Sequence, residues 1–178
     1  SAGMKILIAD DSVIDRHILE NSLRKWSYEV TTACDGIEAW ELLQNPDAPR
    51  LAVLDWMMPG LTGVEICRRL RQESRGAYTY VLLLTSRGEK EDLVEGMESG
   101  ADDYITKPFD NHELKVRLRA GRRIVELQAE LVAAREALRV QATTDSLTRT
   151  WNRYSILEIL EKELSRAQRE HSFVGVIL

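Results

Sequence analysis

Short apolar runs alternate with helical stripes along the first two thirds of the chain. In the clearest run, Leu51–Asp55, four consecutive apolar residues precede an aspartate, a pattern typical of a strand buried on both faces. This alternation predicts an α/β fold, a doubly wound parallel sheet with helices on both faces. Right-handed crossovers place the carboxyl ends of all its strands at one edge. The predicted strands are residues 5–9, 28–34, 51–55, 80–84 and 103–106.

Polar side chains stand at the ends of four of these predicted strands. Asp10 and Asp11 follow the first strand, Asp55 ends the third, Thr85 follows the fourth and Lys107 follows the fifth. Taken alone, Asp55 is equally compatible with an aspartate that caps the next turn, because aspartate is common in turns. The convergence of three carboxylates, a hydroxyl and an amine at one edge of the sheet favours a functional site.

The chemistry of these side chains indicates a metal-assisted phosphoryl acceptor. Clustered carboxylates repel one another unless a cation lies between them. Oxygen ligands without histidine or cysteine select a hard ion such as Mg²⁺ or Mn²⁺. An aspartate beside such an ion can attack a phosphoryl group, while a lysine and a hydroxyl stabilise its oxygens. The sequence has no glycine-rich loop for a nucleotide, so we expect the site to receive a phosphoryl group rather than to bind ATP.

Four motifs follow one another along residues 4–125: Asp10-Asp11, Asp55-x-x-x-Pro59-x-x-x-Gly63, Thr85-Ser86 and Lys107-Pro108. In order and spacing this set resembles the receiver domain of two-component response regulators. The resemblance implies a flavodoxin-like sheet of five strands in the order 2-1-3-4-5. It also implies a histidine kinase or phosphotransfer protein as partner.

The same resemblance implies roles for individual residues. Asp55 is expected to be the phosphoacceptor, and Asp11 and Asp55 to ligate Mg²⁺ directly together with the backbone carbonyl of Met57. Asp10 is expected to act mainly through water. Lys107 would pair with the phosphoryl group, and its peptide bond to Pro108 would be cis.

Thr85 and Tyr104 are implied to form the switch pair. Thr85 would move towards a phosphoryl oxygen, and Tyr104 would turn inward to fill the vacated space. The alternative for Tyr104 is a half-buried aromatic residue of a strand, without a role in switching.

A long helix is predicted from Asp110 to Gln141. Its apolar residues follow a heptad pattern, with Ile124, Leu131 and Leu138 at position a and Ala120, Leu127 and Ala134 at position d. We expect a homodimer through residues 110–141, and a parallel one, because two copies of one output segment have to come together at the same end of their helices. The alternative is an amphipathic helix that folds back on the sheet. The expected domains are a receiver over residues 4–122, a helical linker over 123–143 and an output fragment over 144–178.

The output fragment opens with Asp-x-Leu-Thr-x-x-x-Asn-Arg at residues 145–153. This motif resembles the start of a diguanylate cyclase domain of the GGDEF type, which makes cyclic di-GMP from GTP. Asp145 is a predicted N-cap, and residues 172–178 read as a strand. The chain ends at Leu178, before the metal ligands and signature loop of that family, so we expect no cyclase activity from this chain.

Two other function classes remain open from the sequence. A metal-dependent phosphatase with an aspartate nucleophile is disfavoured, because Met57 stands where that family carries a second aspartate. A DNA-binding output is disfavoured by the net charge of −5, and we expect no nucleic-acid or membrane partner. Two distant cysteines, Cys34 and Cys67, are predicted to be buried free thiols in a reducing compartment, which favours the bacterial cytoplasm.

Overall fold

A computed structural model describes residues 3–73, 77–86, 90–144 and 150–175. Its centre is a five-stranded parallel sheet in the order β2-β1-β3-β4-β5, as predicted. The strands are β1 (Lys5–Ala9), β2 (Glu29–Ala33), β3 (Leu51–Asp55), β4 (Tyr80–Thr85) and β5 (Asp103–Thr106). The helices are α1 (Val13–Lys25), α2 (Gly36–Leu43), α3 (Gly63–Gln72), α4 (Lys90–Glu98), α5 (Asn111–Thr143) and α6 (Arg153–Glu170).

The sheet separates two hydrophobic clusters. Successive residues of a strand point to opposite faces, so Ile6 and Ile8 of β1 join one cluster while Leu7 joins the other. Every residue of β4 is buried. This burial on both faces explains why the central strands are continuous apolar runs rather than alternating ones.

Polar caps fix where the helices begin. The side chains of Ser12, Asp35 and Thr62 each accept a hydrogen bond from the backbone N–H three residues ahead. In α3 the side chain of Glu65 also accepts a hydrogen bond from the Thr62 N–H, which completes a capping box. The caps of α1 and α3 directly follow β1 and the loop after β3, so they help to hold the carboxyl edge of the sheet in place.

The helix α5 is seated on the sheet through its first half only. Its buried residues are Leu114, Leu118, Gly121 and Val125. Gly121 lies where a β-carbon would come within 2.6 Å of the Tyr80 ring. Glycine is therefore required by this close approach, despite its cost in a helix interior.

The chain divides into two compact units, residues 1–129 and 130–178. In the second unit Asn152 joins the end of α5 to the start of α6. Its backbone N–H donates to the Thr143 carbonyl at 2.9 Å, and its side chain accepts a hydrogen bond from the Ser155 N–H at 2.9 Å. Asn152 is thus the N-cap of α6, whereas the predicted cap, Asp145, lies outside the described residues.

Two predictions about local structure are wrong. Residues 172–175 form no strand, and the remaining residues of that predicted strand lie outside the described part of the chain. Cys67 is buried as predicted, but Cys34 is exposed because β2 ends one residue earlier, at Ala33. Among the helices in the described ranges, none combines the length and apolar character needed to cross a membrane.

Candidate functional site

The predicted polar residues meet at the carboxyl edge of the sheet, with Lys107 at their centre. Its Nζ lies 2.9 Å from Oδ2 of Asp10, 3.2 Å from Oδ2 of Asp15 and 3.4 Å from Oδ2 of Asp55. Three segments of the chain that are distant in sequence, residues 10–15, Asp55 and Lys107, therefore supply one ionic cluster.

Asp10 is the most deeply placed member of the cluster. It is fully buried, and its Oδ1 accepts a hydrogen bond from the backbone N–H of Ser12 at 2.9 Å. Arg16 donates to the Asp10 carbonyl at 2.6 Å, so main chain and side chain are both fixed. A buried carboxylate needs such partners, because its isolated charge would be costly in an apolar interior.

Asp55 carries a perturbed pKa. Burial, together with the nearby charge of Asp10, raises the pKa of its carboxyl from 3.8 to about 6, although Lys107 counteracts the effect. For Lys107 burial disfavours the charged form, but the contacts with Asp10 and Asp55 outweigh it and raise the pKa of the ammonium above its usual value. One cation thus faces several carboxylates.

Carboxylate oxygens of Asp10, Asp11 and Asp55 all lie within 4.8 Å of one another. Asp11 is exposed, so the cluster opens to solvent on that side. Hard oxygen donors at this spacing, with more negative than positive charge, fit a divalent ion such as Mg²⁺. Met57 is half exposed in the loop after β3, near the end of the strand that carries Asp55.

Thr85 and Tyr104 lie on neighbouring strands near the cluster. Thr85 is fully buried at the end of β4, and its carbonyl accepts a hydrogen bond from the Lys107 N–H at 2.7 Å. Tyr104 of β5 is partly buried and packs against the hydrophobic cluster that contains Leu83, its register partner on β4. The Lys107–Pro108 peptide bond is cis, as the resemblance implied.

Asp15 is the member of the cluster that sequence reasoning missed. It lies in the first turn of α1, where its N–H donates to the Ser12 side chain at 3.2 Å. An acidic residue at this position is ordinarily explained by the helix dipole. The only sequence signal was its place in the helical turn that follows Asp10 and Asp11.

Comparison with protein families decides the assignment. The sequence model of the response regulator receiver domain matches residues 6–119. The chain belongs to this family. The match includes all the residues of the ionic cluster, so the receiver fold and the carboxyl-edge site belong to the same domain.

Curated relatives are response regulators and a transcriptional regulator. Response regulator RppA from Synechocystis sp. is 41% identical over 131 residues, covering 72% of this chain and 55% of RppA. The phosphate regulon transcriptional regulatory protein PhoB from Rhizobium meliloti is 40% identical over 116 residues, covering 65% of this chain and 51% of PhoB. Response regulator MprA from Mycobacterium ulcerans is 38% identical over 170 residues, covering 96% of this chain and 67% of MprA. The chain spans about half the length of RppA and PhoB.

Solved structures agree with the receiver assignment. The receiver domain of sensor histidine kinase PA1611 from Pseudomonas aeruginosa PAO1, with a magnesium ion in its active-site cleft, has a TM-score of 0.60 at 28% identity. The match covers 70% of this chain and 99% of that one. A structure described as a two-component response regulator and GGDEF domain protein has a TM-score of 0.65 at 26% identity, covering 70% of this chain and 51% of that one.

These comparisons change the kind of output domain that we expect after the receiver. The family match ends at residue 119 and gives no support for a GGDEF domain in residues 144–178. PhoB is named as a transcriptional regulator, so the relatives favour the DNA-binding alternative over the cyclase. The expectation that the protein has no nucleic-acid partner is therefore not supported.

Proposed function

We propose that this receiver is a phosphorylation-dependent regulatory domain in which Asp55 accepts a phosphoryl group from a histidine kinase or phosphotransfer protein. The observation that carries the proposal is the position of Lys107, whose ammonium contacts both Asp10 and Asp55 at the open edge of the sheet. The relatives named as response regulators support the same reading.

The chemistry follows from the placement of these groups. An Asp55 carboxylate oxygen attacks phosphorus, and the bond from phosphorus to the donor's nitrogen or oxygen breaks with its electron pair. Lys107 lies within reach of the oxygens that gain charge. Bound Mg²⁺, held by Asp11, Asp55 and the Met57 carbonyl with Asp10 acting through water, would supply further neutralisation of the phosphoryl charge.

Thr85 and Tyr104 are the proposed readout of phosphorylation. Thr85 is buried at the end of the strand next to Asp55, so a small movement brings its hydroxyl towards a phosphoryl oxygen. Tyr104 packs against the neighbouring hydrophobic cluster only in part, so an inward turn of the ring would remove more of its surface from water. The pair would connect the chemistry to the surface formed by β5.

An exposed apolar patch on α1 supports a protein donor. Val13, Ile14 and Ile18 are 68%, 72% and 50% exposed, and the helix that carries them begins directly after Asp10 and Asp11. Apolar residues grouped beside a polar cleft are typical of a protein-binding surface. A partner bound to this patch would have its phosphorylated side chain near the carboxyl edge of the sheet, where Asp55 lies.

Intact-mass measurement tests the phosphoacceptor. After incubation with acetyl phosphate and Mg²⁺, we expect wild-type protein to gain the mass of one phosphoryl group and Asp55→Asn to gain none. Asp47→Asn, which changes an aspartate whose side chain is 91% exposed, is the matched control and should behave as wild type. Modification of Asp55→Asn, or equal modification in excess chelator, would refute the assignment.

For the output we propose transcriptional regulation in the protein to which this chain belongs. The support is the name of the PhoB relative and the extension of the MprA match over 96% of the chain. The proposal is tested by selecting genomic DNA fragments that bind the protein to which this chain belongs, with and without beryllofluoride. We expect specific fragments to be enriched in a way that depends on Asp55. If no fragment is enriched above the level recovered with an unrelated receiver, the proposal is contradicted.

A diguanylate cyclase output is the second candidate. It is supported by the motif at residues 145–153 and by the solved response regulator described with a GGDEF domain. The protein to which this chain belongs would be incubated with GTP and Mg²⁺, and the products separated by chromatography. Cyclic di-GMP above the level of a heat-inactivated control would establish this candidate in place of transcription.

A parallel homodimer through residues 110–141 is also part of the proposed function. It would bring two copies of the output together, with a receiver over residues 4–122, a linker over 123–143 and the output segment over 144–178. The support is the heptad pattern of α5, in which Ile124, Leu127, Leu131 and Leu138 are exposed.

A further inference from the structure

Among the residues that the structure describes, none covers the second half of α5. Every residue from Glu126 to Ala142 is exposed. These residues include Leu127, Leu131 and Leu138, whose exposed fractions are 54%, 65% and 66%. Isolated helical segments of this length are only marginally stable in water, so an apolar stripe here calls for a partner.

The exposed stripe is distinct from the stripe that holds α5 on the sheet. Leu114, Leu118, Gly121 and Val125 are buried against the sheet. At 3.6 residues per turn, the direction of the exposed stripe differs from that of the buried one by about 120° around the helix axis. A partner can therefore cover the exposed stripe without displacing α5 from its own receiver.

Two charged residues flank this exposed stripe. In the register with Leu131 and Leu138 at position a, Glu130 takes position g and Arg135 takes position e. Within the described parts of the chain neither has an ion pair, whereas nearby Arg122 and Glu126 pair at 2.9 Å and Glu136 and Arg139 at 2.8 Å. Of the charged residues at positions e and g, Glu130 and Arg135 are the two that lie between Leu127 and Leu138, and side chains at these positions face a second helix.

Charge complementarity specifies the orientation of the partner. In a parallel pair, position g of one helix lies beside the following position e of the other, which brings Glu130 to Arg135 twice by symmetry. In the antiparallel arrangement that overlaps the whole stripe, Glu130 meets its own copy instead, and like charges repel. A shorter antiparallel overlap would pair Glu130 with Arg123, leaving Arg135 without a role.

We propose that α5 binds a second copy of this chain in parallel and that Glu130 of each copy pairs with Arg135 of the other, fixing the register of the dimer. The inference rests on the homodimer of the proposed function and assigns the residues that orient it. It needs no contribution from the phosphorylation site.

Sedimentation equilibrium at low ionic strength tests the pair by charge exchange. Glu130→Arg and Arg135→Glu should each weaken dimerisation by about tenfold, because each places like charges together at two positions. The double variant should regain wild-type affinity, and an equimolar mixture of the two single variants should form heterodimers. The matched control exchanges Glu136 and Arg139, which lie off the stripe, and should leave the dissociation constant unchanged.

The outcomes separate the possible failures. If Glu130→Arg weakens the dimer and Arg135→Glu has no effect, the parallel pair is wrong. The antiparallel contact between Glu130 and Arg123 would then take its place. If Leu131→Glu abolishes the dimer and neither charge variant changes the dissociation constant, the ion pair is refuted. The homodimer through α5 would still stand. Dimerisation that survives Leu131→Glu but is lost in Phe173→Glu would assign the contact to the fully exposed tail. A monomeric wild type that still takes up phosphate would refute the dimer and leave the function of Asp55 intact.

Discussion

Lys107 and Asp10 are 97 residues apart in the chain, yet the lysine Nζ lies 2.9 Å from the carboxylate Oδ2. Asp10 is fully buried, and the Lys107 side chain is 19% exposed. The pair is therefore shielded from the solvent screening that makes surface ion pairs weak. It links the end of β1 to the loop after β5, two segments of the carboxyl edge.

Replacing Lys107 by methionine is expected to lower the unfolding free energy of the metal-free protein by about 3 kcal/mol, because a buried carboxylate loses its cation. Added Mg²⁺ should restore more stability to the variant than to the wild type, since more uncompensated negative charge remains. Urea denaturation with and without Mg²⁺ measures both effects. Lys5→Met, which breaks an exposed ion pair with Asp47, is the control, and an equal loss in both variants would contradict the prediction.

Asp55→Asn should stabilise the metal-free protein in a pH-dependent way. The folded-state pKa of Asp55 is raised to about 6, so the protonated form is favoured by folding and stability is lost as pH rises from about 4 through 6. A shift of this size corresponds to at most about 3 kcal/mol. The stability gain of the variant should therefore be small at pH 4 and largest above pH 7.

Urea unfolding of both proteins across this pH range checks the prediction, because contributions from carboxyl groups that do not interact with Asp55 cancel in the difference. Saturating Mg²⁺ should reduce or reverse the gain at pH 7.5, since the metal favours the ionised carboxylate. If the difference in unfolding free energy between Asp55→Asn and the wild type grows towards low pH, the raised pKa has been assigned to the wrong group.

Gly121→Ala should destabilise the protein although alanine is the better helix former. The added β-carbon would come within 2.6 Å of the Tyr80 ring, and overpacking of this kind costs about 1–3 kcal/mol. In a Tyr80→Leu background the same substitution should be neutral or stabilising. Thermal unfolding of the four proteins of this double-mutant cycle gives the coupling, and an absence of coupling would exclude the ring as the cause.

Asp102 and Asp103 are neighbours that each pair with an arginine, but their substitution should have unequal effects. Asp102 is 14% exposed and accepts hydrogen bonds from Arg71, from the Tyr78 hydroxyl and from the Val81 N–H. Asp103 is more exposed and pairs with Arg117 at 2.7 Å.

We expect Asp102→Ala to cost about 3 kcal/mol, since it removes the shared acceptor of a partly buried network, and Asp103→Ala to cost less than about 1 kcal/mol. Chemical denaturation of the two variants measures the contrast. Equal losses would mean that the network around Asp102 contributes no more than a surface ion pair.

The sequence predicted the fold and most of the site because both depend on local patterns. Asp10, Asp55 and Lys107 each lie at the end of a predicted strand, and the geometry of a parallel sheet brings such ends together. Asp15 was missed because it lies within a helix rather than at the end of a strand, so its contact with Lys107 leaves no mark on the local pattern. The contact of Arg71 with Asp102 was invisible for the same reason.

The error at Cys34 arose where a strand ended earlier than its pattern. Cys34 continues the apolar character of β2, but the strand stops at Ala33 and Asp35 caps the next helix, which leaves the thiol in an exposed turn. Its S–H donates to Glu38 at 3.0 Å, an interaction that requires the turn to be known. Boundaries of this kind depend on competition between a strand and a cap, which apolar periodicity does not describe.

The early end of the buried stripe on α5 has an evolutionary consequence. The core of the receiver takes its last contribution from Val125, so recombination further along the same helix can replace everything downstream without cutting through the core. Insertions or deletions of whole heptads there would preserve the spacing of a dimer stripe. Such an arrangement would let one receiver be joined to different effector domains, with the helical phase of the junction as one condition for transmitting its state.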